Sequence, residues 1–234
     1  MACGMRVDAL LSRFGYCSRR EVAQWIKRGR VTRNGELVKS ANEKAEPHEV
    51  LVDGEPVEFP DGLYVALHKP LGCTCSHREA GELVYDLLPE QWMRRNPAVN
   101  TVGRLDKETS GLLLLTDDGA FEHAQTSPKR HVPKVYAFTT SAPVPPEAVA
   151  QFASGEFLLQ GERTPCLPAE LELTAECAGR LTLHEGRYHQ VRRMLAAVGA
   201  PVVTLERIAI GPLKLADLNL EPGEWVEIDP SIFA

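Results

Sequence analysis

The chain has 234 residues, 44% of them hydrophobic and 25% charged, and a net charge of -6. This composition excludes disordered and collagen-like chains, and the length suits one or two domains able to enclose a site. The densest apolar run is Leu112–Leu115 and the opening MACGMRVDALL lacks a signal-peptide core, so no membrane partner and a cytoplasmic location are expected. Six scattered cysteines, Cys3, Cys17, Cys73, Cys75, Cys166 and Cys177, form no C-x-x-C pair or zinc-type framework, which points to free thiols. Residues 1–40 hold nine Lys/Arg against three Asp/Glu, a balance of +6 that leaves -12 for the remainder. One end is therefore a basic module, in which Met-Ala-Cys-Gly reads as a loose extension before the pattern begins at Met5.

Val7, Leu10, Leu11 and Phe14 recur at helical spacing, and Gly15 follows as a stop. Ser18-Arg-Arg-Glu21 has the form of a capping box ahead of Val22, Trp25 and Ile26, predicting a second helix to about Arg28. Asn34-Gly35 and Asp53-Gly54 supply two-residue turns for hairpins over residues 31–38 and 50–57. Glu58-Phe-Pro-Asp-Gly62 reads as a linker, giving domains at 1–60 and 61–234. Beyond it, strands are predicted at 63–68, 111–116, 134–140, 169–174, 180–184 and 202–210. Helices are predicted at 119–126, 146–153 and 188–198, the last closed by Gly199. Strands outnumber helices without alternating with them, so the expected class is α+β, with a mixed, largely antiparallel sheet.

There is no G-x-G-x-x-G, no phosphate loop and no H-E-x-x-H, so neither a cofactor nor a metal is expected. The most informative stretch runs from Gly103-Arg104-Leu105-Asp106 through Lys-Glu-Thr-Ser-Gly111 and four leucines to Asp117-Asp118-Gly119. An isolated Arg-x-Asp is usually a solvated turn, and Asp117-Asp118-Gly119 reads as a turn at a helix start rather than a metal site. The whole segment, however, closely resembles the catalytic motif of RNA pseudouridine synthases, in particular the branch that makes pseudouridine 516 in bacterial small-subunit ribosomal RNA. Leu67-His68-Lys69-Pro70-Leu71-Gly72, Lys134-Val135-Tyr136, Glu185-Gly-Arg-Tyr-His-Gln-Val-Arg-Arg-Met194 and Val203-Thr-Leu205-Glu-Arg207 resemble further motifs of that branch, in its order. The first sixty residues resemble an S4 RNA-binding domain.

The resemblance implies an isomerase that breaks a uridine's N-glycosidic bond, turns the uracil and rejoins it through carbon 5. It implies Asp106 as the essential carboxylate, nucleophile or base, with Arg192 as the fixed cation that keeps it ionised. Tyr136 is implied to stack on the uracil and to aid proton transfer, and Leu205 to pack from the other side. Arg104 is implied to fill the space left by the flipped nucleotide. His189 and Gln190 bind phosphate or sugar, or equally brace a loop or helix. In the basic module, Arg19, Arg20, Lys27, Arg28, Arg30 and Arg33 are either a solvated face or, on the S4 resemblance, a contact with RNA backbone. The expected partner is structured ribosomal RNA, from the small subunit or an assembly intermediate, and the protein is expected to be a monomer. The first alternative is a large-subunit 23S target. The second is a non-catalytic RNA-binding ribosome-assembly factor, against which stands the joint presence of Asp106, Tyr136 and Arg192. A glycoside hydrolase with paired carboxylates is a further alternative, weakened because Asp106 alone sits in a recognisable motif.

Overall fold

The structure, a computed structural model, describes residues 4–234. The expectations of a loose N-terminal extension and a free Cys3 fall on residues 1–3, outside the described ones. The chain divides into two compact units: one holds the N-terminal residues to Tyr64 with Tyr85–Asn100 and Thr116–Gly119, the other the remainder.

In the first unit, α1 (Val7–Arg13) and α2 (Val22–Lys27) accompany a four-stranded antiparallel sheet. Its strands are β2 (Val31–Arg33), β3 (Glu36–Leu37), β5 (Val50–Val52) and β6 (Glu55–Pro56), and β1 (Met5–Arg6) pairs separately with β4 (Lys44–Ala45). The helical stripe Val7, Leu10, Leu11 and Phe14 is buried against Val22, Val31 and Val50, which explains why these elements form together. Both hairpin turns have the positive φ angles that the Asn-Gly and Asp-Gly pairs favour. The capping box differs from expectation. The Glu21 carboxylate accepts from both the Ser18 N–H and the Ser18 hydroxyl, making a closed turn of residues 18–21, and α2 starts one residue later, at Val22. The segment expected as a linker is tied down: buried Arg95 donates to the Glu58 and Phe59 carbonyls and to Asp117, and Trp92 Nε1 donates to Glu58. Asp117 also accepts from the Leu63 N–H, so both of its oxygens serve the fold.

The second sheet comprises β7 (Tyr64–Lys69), β8 (Asn100–Thr101), β9 (Ser110–Thr116), β10 (Lys134–Thr140), β11 (Glu170–Ala175), β12 (Ala178–Leu183), β13 (Val202–Ile210), β14 (Leu213–Lys214) and β15 (Trp225–Glu227). Its spine runs β11-β12-β10-β13-β9-β7-β15, with β8 beside β9 and β14 beside β13. The β13–β9 pair is parallel, whereas β10 with its two neighbours, β11 with β12 and β15 with β7 are antiparallel. Leu112–Leu115 are all fully buried, as a central strand covered on both faces requires. α3 (Gly119–Thr126), α4 (Ala148–Ala153) and α5 (Gln190–Ala197) complete the elements that matter below. Phe152 of α4 and Val191, Met194 and Leu195 of α5 bury themselves in a core with Phe138, Leu181 and Leu205. None of the described helices is long and apolar enough to cross a membrane.

Candidate active site

Sequence alternation decides what β10 and β13 offer to one face. Lys134 and Tyr136 on β10, and Leu205 and Arg207 on β13, all line a cavity of about 620 Å³. Tyr136 lies opposite Arg207 and Phe138 opposite Leu205 in the antiparallel register. The loop before β9 supplies Arg104 and Asp106 to the same cavity, and the turn before α5 supplies His189. Asp106, Tyr136, Arg192, Arg104, Leu205, His189 and Gln190, far apart in sequence, are therefore brought together.

Two close contacts fix the catalytic-motif loop. Gly111 pairs with Arg207 in the parallel register, and a Cβ there would lie 2.3 Å from the Arg207 carbonyl oxygen, so only glycine lets β9 approach β13 so closely. Beneath the loop, the fully buried Lys69 ammonium donates to the carbonyls of Pro70, Asp106 and Thr109 at 3.0, 3.1 and 2.8 Å. Burial pushes its pKa down, and the three carbonyls replace the water it has lost.

The expected direct pair between Asp106 and Arg192 is not formed. Arg192 Nη2 donates to the Glu108 carbonyl at 2.7 Å, two residues along the same loop. The basic group beside the carboxylate is instead His189, whose Nε2 lies 3.4 Å from Asp106 Oδ1, both side chains being about one-third exposed. The backbone provides the cause. His189 takes a left-handed conformation (φ 48°), so α5 starts at Gln190 rather than at the predicted Tyr188, and its ring stacks on Tyr188 at 3.9 Å.

Gln190 braces the turn at the edge of the cavity. It is 4% exposed, its carbonyl accepts from the Arg187 N–H, and its amide donates to Glu185 at 2.7 Å. Glu185 accepts in turn from Arg187 Nε and from the Leu167 N–H, so the whole turn is cross-linked. Leu205 is buried and Tyr136 half-buried on the cavity wall. Arg104 is exposed, its guanidinium 3.5 Å from Glu79. In the N-terminal unit, Arg19, Arg20, Lys27 and Arg28 are exposed, whereas Arg30 is paired with Asp53 and Arg33 with Glu49.

Among the charged groups at the cavity or beneath its loop, Lys69, Lys134 and Arg207 have no role in the sequence expectations. Each stands inside one of the motifs. The available signal is a charged residue at a position that strand alternation assigns to the interior, as for Arg207 two residues after Leu205.

Comparison with known proteins identifies the family. A family model described as RNA pseudouridylate synthase matches residues 63–197, and an S4 domain model matches residues 5–51. The chain is 41% identical over 226 residues to the ribosomal small subunit pseudouridine synthase A of Escherichia coli, covering 94% of this chain and 95% of that protein. It is 39% identical over 231 residues to an uncharacterized RNA pseudouridine synthase of Bacillus subtilis, covering 96% and 95%. A solved pseudouridylate synthase structure superposes with a TM-score of 0.68 at 37% identity, covering 97% of both chains. With a family model spanning more than half of its length and relatives matched nearly end to end, the chain belongs to the RNA pseudouridine synthases.

Proposed function

We propose that this protein converts a uridine of ribosomal RNA to pseudouridine, and that its target is uridine 516 of the small-subunit 16S RNA. The observation that carries the reading is the cavity that Asp106, Tyr136 and Leu205 line together, with the Asp106 loop clamped by Lys69. Within it, Asp106 acts on the ribose of the flipped nucleotide, Tyr136 and Leu205 enclose the uracil, and exposed Arg104 leaves Glu79 to enter the emptied base stack. His189 lies next to Asp106 and stabilises its anion when protonated, while Arg192 holds the loop through Glu108. Residues 1–60 serve as the RNA-binding module through Arg19, Arg20, Lys27, Arg28, Arg30 and Arg33, and residues 61–234 as the catalytic domain. The similarity to small-subunit enzymes over nearly their full length supports the 16S target over a 23S one.

The test is to map pseudouridine in ribosomal RNA from cells lacking the protein, then restore it with purified protein and with Asp106→Asn. Position 516 should lose its modification and regain it with the natural protein alone. Loss at a 23S position instead would move the substrate to the large subunit, and unchanged ribosomal RNA would overturn the reading.

A further inference from the structure

The cavity carries at its edge an aromatic side chain that core packing does not explain. Tyr188 is 76% exposed, more than any other large hydrophobic side chain of the described residues. The buried stripe of α5, with Val191, Met194 and Leu195, begins after it, and Tyr188 has no place in the core beneath. A ring left in water gains little from the hydrophobic effect, so its position calls for another cause.

One face of the ring is taken by the His189 imidazole, with centroids 3.9 Å apart and planes 16° from parallel. No second ring of the described residues stacks on it, and its hydroxyl has no hydrogen-bond partner among them. The turn that holds it is braced on both sides. Arg193 Nη1 donates to the Tyr188 carbonyl at 3.1 Å and to Glu162 at 2.8 Å, and Arg187 donates to Glu185 and to the Thr164 carbonyl. A planar side chain on a fixed turn loses little freedom when a partner stacks on it. The ring is also placed relative to the chemistry: it lies one stacking layer from His189, whose Nε2 is 3.4 Å from Asp106 Oδ1. Arg104 and Arg192 line the same cavity and supply the positive charge that an RNA backbone entering it requires.

We infer that Tyr188 is a further substrate-binding residue, whose open face takes the base of an unpaired nucleotide close to the target uridine; this rests on the pseudouridine-forming reading above. Base, phenol and imidazole then form one stack that ends at Asp106. Arg104 fills the gap inside the RNA helix, whereas Tyr188 holds a nucleotide on the strand that leads the target out of it. Every base has a π-face, so the platform accepts any of the four, but a base within a continuous duplex is covered on both faces by its neighbours. The substrate class that follows is a uridine in a loop, bulge or strand junction, chosen by the openness of its surroundings rather than by the identity of the adjoining base.

The experiment uses RNA carrying the target uridine, in which each nearby nucleotide of that strand is in turn made abasic or replaced by 2-aminopurine, whose fluorescence is quenched by stacking. The natural protein is compared with Tyr188→Ala and Tyr188→Phe. At one position the abasic RNA should bind the natural protein about tenfold more weakly. Tyr188→Ala should bind intact RNA about tenfold more weakly and be indifferent to the missing base, so that the two changes do not add. At that position 2-aminopurine should be quenched by the natural protein and by Tyr188→Phe, and not by Tyr188→Ala. The rate at saturating RNA should stay near the natural value. Additive losses at every position would overturn the inference. So would a Tyr188→Phe variant as weak as Tyr188→Ala, which would assign the contact to the hydroxyl, or a lowered saturated rate with unchanged affinity, which would reduce the ring to a support for His189. Each of these leaves the enzyme reading intact, whereas absence of pseudouridine in the unaltered RNA with the natural protein would overturn both. Should Tyr188→Ala lower the thermal midpoint, Tyr188→Leu, which keeps bulk against His189 without a π-face, carries the same comparisons.

Discussion

At the scale of single residues, the cavity is organised by cations that have exchanged water for main-chain carbonyls. Lys69 shows the balance most clearly, because its ammonium is fully buried and donates to three carbonyls, two of them in the Asp106 loop. Lys69→Met would relieve the cost of burying a charge but leave carbonyls unmatched, at about 1–3 kcal/mol for each one that finds no other donor. The Asp106 carbonyl still accepts from the Thr109 N–H, and the Pro70 carbonyl from the Cys73 thiol at 3.6 Å, so the loss falls mainly on Thr109. Net destabilisation of about 2 kcal/mol is expected in urea unfolding. Pseudouridine formation should fall more than the folded fraction does, because Asp106 loses its support. A variant as stable and as active as the natural protein would show that the clamp is not needed.

At the scale of elements, legibility follows pattern length. The strands over residues 111–116, 134–140 and 202–210 and the hairpins at Asn34-Gly35 and Asp53-Gly54 are readable because alternation or turn chemistry extends over several residues. β1, β4, β8 and β14 have two residues each, and two residues carry no period. The left-handed His189 is hidden for a different reason. The helical stripe of Val191, Met194 and Leu195 continues backward on paper, while the contact that makes the turn useful, to Asp106, lies 83 positions away. The same separation hides the partner of Arg192, which reaches the Asp106 loop but binds the backbone of Glu108. Gly111 tests how tightly β9 and β13 must approach. In Gly111→Ala the new Cβ meets backbone rather than a flexible side chain, and the positive φ of 108° adds strain. A loss of about 3 kcal/mol or more in denaturant midpoint stability is expected, with the Asp106 loop displaced. Stability within about 0.5 kcal/mol of the natural protein would mean that the strands separate cheaply.

At the scale of the whole molecule, an acidic chain must still attract a polyanion, and the charge distribution makes that feasible. The balance of +6 in residues 1–40 is concentrated where Arg19, Arg20, Lys27 and Arg28 are exposed. Arg30 and Arg33 lie in the same module, but each is already committed to a carboxylate, and Arg30 also lies over the Trp25 ring at 3.6 Å. Freely available cations release RNA counterions on binding, whereas paired ones must first give up a partner. Each phosphate that a cation neutralises adds about 0.7 to the salt slope of binding, so changing Arg19, Arg20, Lys27 and Arg28 together to Gln should lower that slope for structured RNA by about 3. Substituting Arg30 and Arg33 should change it by less than about 1. These substitutions preserve the fold better than deleting residues 1–60, since Arg95 and Trp92 depend on Glu58 and Phe59. Because RNA backbone contacts carry affinity rather than sequence information, the four-fold variant should weaken binding to matched and mismatched RNAs alike. Its rate at saturating RNA should stay near the natural value. An unchanged slope would reduce the four side chains to a solvated face. A diminished rate at saturation would mean that they help to position the target nucleotide as well as to attract the RNA.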